Sequence, residues 1–489
     1  MGANVELRAV FIWGILILSA VLPAVGLFLC AVIIVVQIGL MGLRPFVSCL
    51  PARLATGRQD FASPRFSIHV ATHAEPPRLV IRTLQALLDQ DWPSDAYEIV
   101  VMDNNTADPA VWKPVKRFCA AHPGRIAFLH RTGVKGAKAG ALNIALAHTR
   151  DDATHVVTVD ADYVVDRDFL RRAAEALHRT AADYVQFPQS YVATTTTAPG
   201  VDAELEEYFR TNAAAADEAE AVLLTGTLCV ISKTALVSVG GWSGATTTED
   251  ADLGVRLCHA GFAGRFINRV VGKGLLPLSL RDLERQRYRW CSGNVQTLLR
   301  HGRTILTPAG EFELHKRLVI LTQLTAWFSL ALVPFALLTV WLLTAQGHTV
   351  AAALAAVAIL LALCDIVSRV VARGLRDGQA LPVILHALAC RIALAPQSAK
   401  ATFDALAGCR LKFVVTDKSG GKGSGSLSIC HLVVFLTALL LLLGGHPAEP
   451  LIRAALLALL LPLPAALLTD RSLRAYRATI ASPVKEVSA

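Results

Sequence analysis

The sequence has few charged residues and no organised set of cysteines. Only 17% of its 489 residues are charged, 54% are hydrophobic, and the mean hydropathy is +0.48, which excludes an ordinary soluble protein of this length. The ten cysteines include no C-x-x-C pair, which argues against a disulfide scaffold or a zinc site. The amino terminus lacks a basic cluster and a small-residue cleavage site, so we expect no cleavable signal peptide.

The formal net charge of +9 does not indicate a nucleic-acid partner. Many of the lysines and arginines stand directly beside apolar runs, where such residues fix the orientation of membrane helices. We therefore interpret them as determinants of membrane topology. Membrane lipids, and no nucleic acid, are expected among the partners.

Long apolar runs occupy the first 45 residues and most of the chain after about residue 317. Crossing a bilayer takes about 20 apolar residues. The run at residues 9–43 exceeds that length and is interrupted at Pro23, which favours a hairpin of two short helices; one long tilted helix is the alternative. Four further spans are predicted at residues 318–344, 349–371, 427–444 and 451–469, which gives about six spans.

Basic residues set the expected orientation of these spans. The loops at residues 346–348 and 444–447 contain no Lys or Arg, whereas basic residues flank the opposite ends of the spans. These are Arg44, Arg53, Arg58, Lys316, Arg317, Arg373, Arg376, Lys418, Lys422, Arg471, Arg474 and Arg477. The positive-inside rule then predicts an integral protein of a bacterial inner (plasma) membrane, with residues 60–310 and both termini in the cytoplasm. A set of buried core helices is the alternative.

The predicted organisation follows from these runs. A transmembrane hairpin (residues 1–45) precedes a soluble α/β domain (60–275), interfacial helices (276–316), two spans (317–372), an interfacial helix with a loop (373–426), two more spans (427–470) and a cytoplasmic tail (471–489). The segment 378–412 mixes Leu, Ile and Ala with basic residues and contains Pro396. That pattern is typical of amphipathic helices on a membrane surface, and we expect a break at Pro396.

The soluble part alternates short β-branched runs with helical patterns. Strands are predicted at residues 66–71, 98–102, 126–130, 155–159, 184–187 and 223–231, with helices between them such as 79–90 and 139–148. This alternation favours a mostly parallel α/β sheet. Ligands of such sheets bind beyond the carboxyl ends of the strands.

Polar residues stand at those strand ends. Thr72 and Glu75 end the first strand, and Asp103 ends the second. An Asp at such a place is usually a turn former, but its carboxylate can also accept hydrogen bonds from a nucleobase or ribose. Asp160 and Asp162 follow the strand at 155–159, where carboxylates at i and i+2 can hold a divalent cation on a diphosphate.

The triplet Thr248-Glu249-Asp250 precedes a helical pattern and has two interpretations. Thr and acidic residues favour a helix start, so the triplet can be a cap. A carboxylate at this place can also take a proton from an acceptor hydroxyl as that hydroxyl attacks. The sequence leaves both open.

The run Gln286-Arg287-Tyr288-Arg289-Trp290 lies in a basic helical stretch. One interpretation is a membrane-surface helix with snorkelling arginines and an interfacial Trp. The other is a functional one, in which Arg and Gln neutralise a pyrophosphate and the Trp ring stacks on a sugar.

Together and in this order, these elements resemble the processive branch of glycosyltransferase family 2, which includes cellulose, chitin, hyaluronan and curdlan synthases. That branch carries a first Asp, a D-x-D, a T-E-D and a Q-x-x-R-W, which stand here as Asp103, Asp160-Ala161-Asp162, Thr248-Glu249-Asp250 and Gln286-x-x-Arg289-Trp290. Residues 138–143 also look like the K-A-G-x-L-N of the family. The resemblance covers about residues 65–300 and implies an α/β GT-A (Rossmann-like) cytoplasmic domain joined to an α-helical transmembrane bundle.

A second similarity follows the interfacial segment. Phe413, Val415, Thr416 and Lys418 match the F-x-V-T-x-K gating loop of cellulose synthase, which covers the nucleotide sugar beneath a transmembrane glycan channel. Residues 103–115 look most like bacterial β-1,3/β-1,6-glucan synthases. Two departures argue against cellulose itself: the tail after residue 470 is too short for a cyclic-di-GMP-binding PilZ domain, and Thr225 stands where those enzymes often carry Cys.

The resemblance implies a role for each site residue. Asp250 would be the general base of a single displacement with inversion, and Asp160 and Asp162 would hold Mg²⁺ or Mn²⁺. Trp290 would stack on the acceptor sugar. The substrate-binding residues would be Thr72, Glu75, Asp103, Lys138, Asp160, Glu249, Gln286, Arg287, Arg289 and Trp290.

The implied function is polymerisation of a β-glucan from UDP-glucose onto a growing glycan, with translocation through the protein's own membrane channel. Alternatives are a non-processive enzyme that glycosylates a lipid acceptor such as diacylglycerol, and a chitin-, hyaluronan- or mannan-type synthase with another nucleotide sugar. A transporter or a degenerate binding subunit is the alternative from another class. Linkage and accessory export subunits stay open.

Overall fold

The computed structural model of the chain describes residues 2–49, 63–192, 197–307, 313–344, 349–409, 428–444 and 449–481. The gating-loop residues Phe413, Val415, Thr416 and Lys418 lie outside these ranges. So do the loop at residues 346–348 and most of the loop at 444–447.

A seven-stranded mixed sheet organises the first half of the chain. Its order is β3-β2-β1-β4-β7-β6-β8. The strands are β1 (Phe66–Thr72), β2 (Tyr97–Asn104), β3 (Ile126–Arg131), β4 (His155–Thr158), β6 (Tyr184–Gln186), β7 (Cys229–Ser232) and β8 (Gly264–Phe266), while β5 (Val164–Val165) pairs with β9 (Gly272–Lys273). All eight residues of β2 are buried, as expected for a central strand covered by helices on both faces.

The parallel part of the sheet brings the predicted strand-end residues together. Strands β3, β2, β1 and β4 are parallel, and β7 is antiparallel to both of its neighbours. Thr72 pairs in register with Asp103, and Asp160 follows the end of β4 by two residues. The α/β class predicted from the alternating pattern is confirmed, with a GT-A-like mixed sheet.

The predicted strand at 223–231 is wrong in its first half. The observed strand β7 covers only Cys229–Ser232. Gly226 and Leu228 have φ angles of 82° and 52°, and an extended strand requires negative φ. The preceding residues therefore leave the sheet, where they are available to line a cavity.

Helices cover the sheet and continue from it toward the apolar half. They are α3 (Pro77–Leu88), α4 (Pro109–Ala120), α5 (Ala137–Ala147), α6 (Phe169–Thr180), α7 (Pro199–Tyr208), α8 (Ala214–Glu218), α9 (Lys233–Ser238) and α10 (Glu249–His259). A π-helical turn, Phe209–Ala213, joins α7 to α8. Such turns often lie at functional sites, and this one stands between the sheet and the membrane helices.

The carboxyl half is helical in its described residues. Its helices are α11 (Leu280–Leu306), α12 (Leu314–Leu324), α13 (Leu332–Leu343), α14 (Thr349–Arg376), α15 (Leu381–Leu406), α16 (Ile429–Leu443), α17 (Pro450–Leu459) and α18 (Pro462–Ala481). Within the described residues, four helical segments are long and apolar enough to cross a membrane: Pro23–Ser48, Thr349–Arg376, Leu381–Leu406 and Pro450–Ile480. Shorter apolar helices lie at Arg8–Val21, Leu332–Leu343 and Ile429–Leu443, so about six spans stays a prediction.

The amino-terminal apolar run forms two helices, α1 (Gly2–Val21) and α2 (Pro23–Ser48), separated at Leu22. Proline at the first position of α2 suits a helix start, because its missing N–H would have no partner there. Arg8 of α1 donates to the carbonyl oxygen of Leu406 at 2.7 Å. Arg44 of α2 forms an ion pair with Asp365 at 2.6 Å, so both helices are tied to the carboxyl half.

Helix α15 connects the sheet domain to the apolar helices. A Cβ atom at Gly200 of α7 would lie 2.4 Å from Cβ of His386, so α7 and α15 are in close contact. The break predicted at Pro396 is wrong, because α15 is continuous from Leu381 to Leu406. Proline inside a helix costs one backbone hydrogen bond, which the extensive burial of α15 between other helices offsets.

Candidate active site

A cavity of about 370 Å³ opens at the carboxyl edge of the sheet. Its walls come from the ends of β1 and β4, the start of α5, the start of α10 and one face of α11. The predicted site residues that line it are Thr72, Glu75, Lys138, Asp160, Asp162, Glu249, Asp250, Gln286, Arg289 and Trp290. Asp103 and Arg287 are not among the lining residues. We call this space the donor cavity.

Asp103 lies behind the wall of the donor cavity. Its carboxylate accepts hydrogen bonds from the hydroxyls of Thr72 and Thr106, each at 2.9 Å. Its other oxygen is 2.8 Å from Nδ1 of His130, and the ring of His130 stacks on Trp112 at 4.3 Å. Asp103 therefore fixes the orientation of Thr72, which does face the cavity.

Lys138 and Asp160 form an ion pair inside the cavity. Lys138 Nζ lies 2.5 Å from Asp160 Oδ1 and donates to the carbonyl oxygen of Gly226 at 2.8 Å. Burial alone would lower the pKa of Lys138, but the neighbouring carboxylates of Asp160, Glu249 and Asp250 raise it. The ammonium group therefore stays charged at neutral pH and can contact an anionic ligand.

Asp160 and Asp162 are held by the local backbone. The Asp160 N–H donates to the hydroxyl of Thr227 at 3.0 Å, and Asp162 is buried beside it. Among the described residues, no three His, Cys, Asp or Glu side chains converge as a complete metal site. Two carboxylates still fit Mg²⁺ or Mn²⁺ when a diphosphate and water supply the other oxygens, which is how Mg²⁺ commonly binds with phosphate substrates.

Asp250 stands in the first turn of α10, where the helix dipole favours an acidic residue. Thr248 is the N-cap residue, but its side chain makes no capping hydrogen bond. A Cβ atom at Gly226 would lie 2.8 Å from Asp250 Oδ2 and 3.4 Å from Lys138 Nζ. The enclosure of the carboxyl group, together with the nearby Glu249 charge, raises the pKa of Asp250 to about 7. A carboxyl group with such a pKa can act as a proton acceptor at physiological pH.

Helix α11 holds this triplet in place. The Thr247 N–H donates to Gln296 Oε1 at 3.0 Å, and the Thr247 hydroxyl donates to the carbonyl of Arg289 at 3.2 Å. A Cβ atom at Gly293 would lie 2.6 Å from the Thr248 side chain. Only a glycine at 293 allows α11 to approach the triplet this closely, which brings Arg289 and Trp290 beside Asp250.

Arg287 lies elsewhere, although the resemblance implies that it binds substrate. Its side chain is 2% exposed and forms a 2.5 Å ion pair with Glu204 of α7. The reason is helical periodicity: Gln286, Arg289 and Trp290 share a face at i, i+3 and i+4, and Arg287 points about 100° away from it. This direction could have been predicted from spacing alone.

A second, mostly apolar cavity adjoins the first. It shares Gln189, Thr225, Thr248, Asp250 and Trp290 with the donor cavity. Its remaining lining residues are Leu205, Tyr208, Phe209, Leu223, Leu224, Ala251, Asn294 and Trp327. We call it the acceptor-side cavity. Asp250 therefore borders two spaces at once.

Trp327 links the acceptor-side cavity to a third cavity among the apolar helices. The lining of this third cavity includes polar side chains despite its surroundings. They are Gln37, Arg44, Ser329, Asp365, Arg369, Arg391 and Ser398. Charged residues in such a place usually mark a polar pathway.

Several cavity residues carry no motif in the sequence. They include His73, Tyr163, Gln189, Tyr191, Thr247 and Trp327. Gln189 follows the predicted strand at 184–187, so the strand-end rule that found Asp160 could have found it. Trp327 lies in an apolar run, and no local pattern marks it.

Two family descriptions match the chain over this region. Glycosyl transferase family 2 matches residues 67–240, and glycosyl transferase family group 2 matches residues 155–367. Together the two matches span residues 67–367, a region that contains the donor cavity.

Curated relatives come from several classes of glycosyltransferase. The chain is 30% identical over 240 residues to the UDP-forming cellulose synthase catalytic subunit of Xanthomonas axonopodis pv. citri, covering 48% of this chain and 32% of that protein. It is 29% identical over 287 residues to the beta-monoglucosyldiacylglycerol synthase of Synechocystis, covering 57% of this chain and 58% of that protein.

A third relative is the glucomannan 4-beta-mannosyltransferase 1 of Oryza sativa, 30% identical over 219 residues, or 43% of this chain and 42% of that protein. The chain thus spans between 32% and 58% of the length of these three relatives.

The fold can be compared with that of a solved glycosyltransferase. The mannosyltransferase PcManGT from Pyrobaculum calidifontis, solved with GDP-Man and Mn²⁺, superposes with a TM-score of 0.52 at 19% identity. The match covers 77% of this chain and 98% of that chain. This likeness supports the GT-A-like fold.

Proposed function

We propose that the protein is an inverting hexosyltransferase that polymerises a β-glucan from UDP-glucose. One observation carries this proposal: Asp250, with a pKa raised to about 7, borders both the donor cavity and the acceptor-side cavity. A base in that position can take a proton from an acceptor hydroxyl while the sugar carbon lies on the other side. The two glycosyl transferase family matches, over residues 67–240 and 155–367, support sugar transfer as the chemistry.

The donor-side residues divide by chemistry. Thr72, positioned by Asp103, and Glu75 offer oxygen atoms to the nucleoside. Lys138 offers a positive charge to the diphosphate. Asp160 and Asp162 would hold Mg²⁺ or Mn²⁺, which neutralises charge on the diphosphate when bound. Burial raises the pKa of Asp250, and the negative charge of Glu249 beside it adds to that effect.

The transfer step is a single displacement. Asp250 accepts the proton of the acceptor hydroxyl, whose oxygen forms a bond to the anomeric carbon as the bond to the diphosphate oxygen breaks. Arg289 and Gln286, which line the donor cavity, stabilise the negative charge on the departing diphosphate, and such preorganised groups usually make the largest contribution to catalysis. Attack from the face opposite the leaving group converts an α-linked donor into a β-linked product.

The acceptor-side cavity and the third cavity favour a polar product. The acceptor-side cavity presents the aromatic rings of Trp290, Tyr208 and Trp327, and flat rings suit the apolar faces of sugars. Beyond Trp327, the third cavity is lined by charged and hydroxyl side chains among apolar helices. A glycan could leave along this series of cavities, through the bundle of a protein in a bacterial inner membrane whose catalytic domain is cytoplasmic.

A second candidate is a non-processive glycolipid synthase. Leu205, Leu223 and Leu224 line the acceptor-side cavity and would also suit the apolar part of a lipid acceptor such as diacylglycerol. The similarity to the beta-monoglucosyldiacylglycerol synthase is in line with this candidate.

The test is product formation by the purified full-length protein in liposomes with radiolabelled UDP-glucose and Mg²⁺ or Mn²⁺. Parallel reactions contain UDP-N-acetylglucosamine or GDP-mannose. A large polymer that a β-1,3-glucanase digests supports the proposal. A small product soluble in organic solvent favours the glycolipid synthase, turnover of another donor alone removes UDP-glucose, and no turnover of any nucleotide sugar contradicts transfer itself.

A further inference from the structure

Helix α7 has two functional faces that lie side by side. Leu205 and Tyr208, at i and i+3, line the acceptor-side cavity. Glu204 and Glu207, also at i and i+3, are 0% and 2% exposed and point into a group of arginines. Residues three apart share a helix face, so one short helix contacts both the candidate acceptor site and the buried charges.

The arginines come from three other helices. Arg287 of α11 pairs with Glu204 at 2.5 Å, and Arg391 of α15 pairs with Glu204 at 2.7 Å and Glu207 at 2.8 Å. Arg369 of α14 pairs with Glu207 at 2.8 Å. Buried charges are tolerated only when they are paired and hydrogen-bonded, so these contacts fix α7 relative to all three helices.

Arg287 is also enclosed by aromatic rings. Its guanidinium carbon lies 4.9 Å from the ring centroid of Trp290 and 4.9 Å from that of Trp327. Within the described part of the chain, Nε and Nη1 of Arg287 have no hydrogen-bond partner. The adjacent indole rings are placed to receive these N–H groups in a cation–π contact.

The backbone of Trp327 is held by the same group of charges. Arg369, already paired with Glu207, donates to the carbonyl oxygen of Ala326 at 2.8 Å. The Cys291 thiol donates to the carbonyl oxygen of Trp327 at 3.3 Å. The Trp327 ring in turn stacks on Tyr208 at 4.5 Å. The Trp327 ring therefore contacts Tyr208 on the cavity face of α7 and Arg287, which is paired with Glu204 on the charged face.

From these contacts we infer that Arg287 and Glu204 are positioning residues for the acceptor. Glu204 orients the Arg287 guanidinium, which holds the Trp290 and Trp327 rings where the acceptor binds. This inference rests on the proposed function, because it needs an acceptor at Trp290. It assigns Arg287 an action on acceptor affinity and none on the diphosphate, since Arg287 does not line the donor cavity.

The test compares Arg287→Lys with Arg285→Lys in the full-length protein. Lysine keeps the charge but lacks the planar guanidinium that can face two indoles. Arg285 is a matched control two positions away on the same helix, 40% exposed and paired with Asp282 at 3.2 Å. Two rates are measured for each variant: UDP-glucose hydrolysis without acceptor, and transfer to laminarioligosaccharides.

We expect Arg287→Lys to raise the KM for the oligosaccharide about tenfold, the scale of a desolvated cation–π contact. The KM for UDP-glucose and the hydrolysis rate should stay within about twofold of wild type, and Arg285→Lys should change neither KM. Glu204→Gln keeps the shape of the side chain and should likewise raise the KM for the oligosaccharide without changing the KM for UDP-glucose. This variant replaces Arg287→Lys if Arg287→Lys does not fold. Equal losses of donor and acceptor use, or the same effect in Arg285→Lys, would overturn the inference.

A spectroscopic measurement separates this inference from the proposed function. The emission of Trp290 is obtained as the difference between each protein and its Trp290→Phe counterpart. Removing the stacked guanidinium should change that difference spectrum in Arg287→Lys and leave it unchanged in Arg285→Lys. An unchanged spectrum in Arg287→Lys contradicts the stacking whether or not UDP-glucose is a substrate, whereas failure of wild type to use any nucleotide sugar contradicts only the proposed function.

Discussion

The donor cavity and the acceptor-side cavity share Asp250 but are built differently. Strand ends, helix starts and one face of α11 form the donor cavity. Side chains there are held by direct hydrogen bonds, as between Lys138 and Asp160. The acceptor-side cavity is assembled from helices far apart in sequence. Its aromatic rings contact residues of buried ion pairs, as Trp327 contacts Arg287. Local geometry thus determines the donor side, while the packing of the whole bundle determines the acceptor side.

Replacing the shared residue should affect both sides most strongly. Asp250→Asn removes the proton acceptor but keeps the shape of the side chain, and we expect transfer to fall by about 10²- to 10⁴-fold. UDP-glucose binding, measured by calorimetry, should change less than threefold, and the melting temperature should not fall because a neutral amide replaces a charge beside Glu249. Parallel loss of donor binding would remove the base assignment.

Replacing a predicted metal ligand should affect the donor cavity and leave acceptor binding unchanged. Asp162→Asn should lower transfer by on the order of 100-fold, since a bound metal contributes several kcal/mol of charge stabilisation. The Mn²⁺ concentration for half-maximal activity should rise, while the KM for the acceptor stays constant. An unchanged Mn²⁺ dependence would show that the cation is held elsewhere.

Gly226 lies between Lys138 and Asp250, so a methyl group there should disturb both. Gly226→Ala places Cβ 2.8 Å from Asp250 Oδ2, and we expect transfer to fall by about 100-fold, because small displacements at a reacting centre are costly. Gly240→Ala is the control, since Gly240 also has a positive φ of 80° but no atom within 4 Å of the added Cβ. Equal losses in both variants would assign the effect to backbone strain.

The pH dependence tests the charge environment of Asp250. A base whose pKa is raised to about 7 is protonated as pH falls through that value, so kcat/KM should drop about tenfold per pH unit below 7. Because the Glu249 charge helps to raise this pKa, Glu249→Gln should move the acid limb to lower pH. A profile that Glu249→Gln leaves unmoved would point to a different titrating group.

The smallest effect is expected on the acceptor side alone. Trp290→Ala should raise the KM for the acceptor about tenfold, the scale of one aromatic contact. UDP-glucose hydrolysis without acceptor should change less than twofold, measured as UDP release. Identical losses of hydrolysis and transfer would contradict stacking of Trp290 on the acceptor.

The difference between the donor cavity and the acceptor-side cavity also explains which residues could be predicted from the sequence. Thr72, Asp160 and Asp162 follow apolar strands, and parallel strands bring their carboxyl ends to one edge, so local patterns located the donor cavity. Asp103 and Thr72 are both predicted to bind the nucleotide, but only Thr72 lines the donor cavity, and its register partner Asp103 lies behind it. A strand-end rule identifies the edge of a sheet and does not say which of two paired residues faces the ligand.

The acceptor side could not be predicted in this way. Glu204, Glu207 and Trp327 carry no motif, and their partners lie between 36 and 187 positions away along the chain. Only the assembled helices place Arg287 beside the rings of Trp290 and Trp327 and outside the lining of the donor cavity. Buried ion pairs across helices depend on tertiary packing, which no local pattern encodes.

The ion pairs of α7 have a practical consequence for protein engineering. A truncated protein that ends near residue 307 would keep Glu207 but lose Arg369 and Arg391, which neutralise it, whereas Glu204 would keep Arg287. Removing one partner of a buried pair typically costs about 3–5 kcal/mol, a large share of the stability of an ordinary domain. An isolated catalytic fragment should therefore be less stable than the full chain unless Glu207 is replaced by a neutral residue such as Gln, with Glu204 kept as the partner of Arg287.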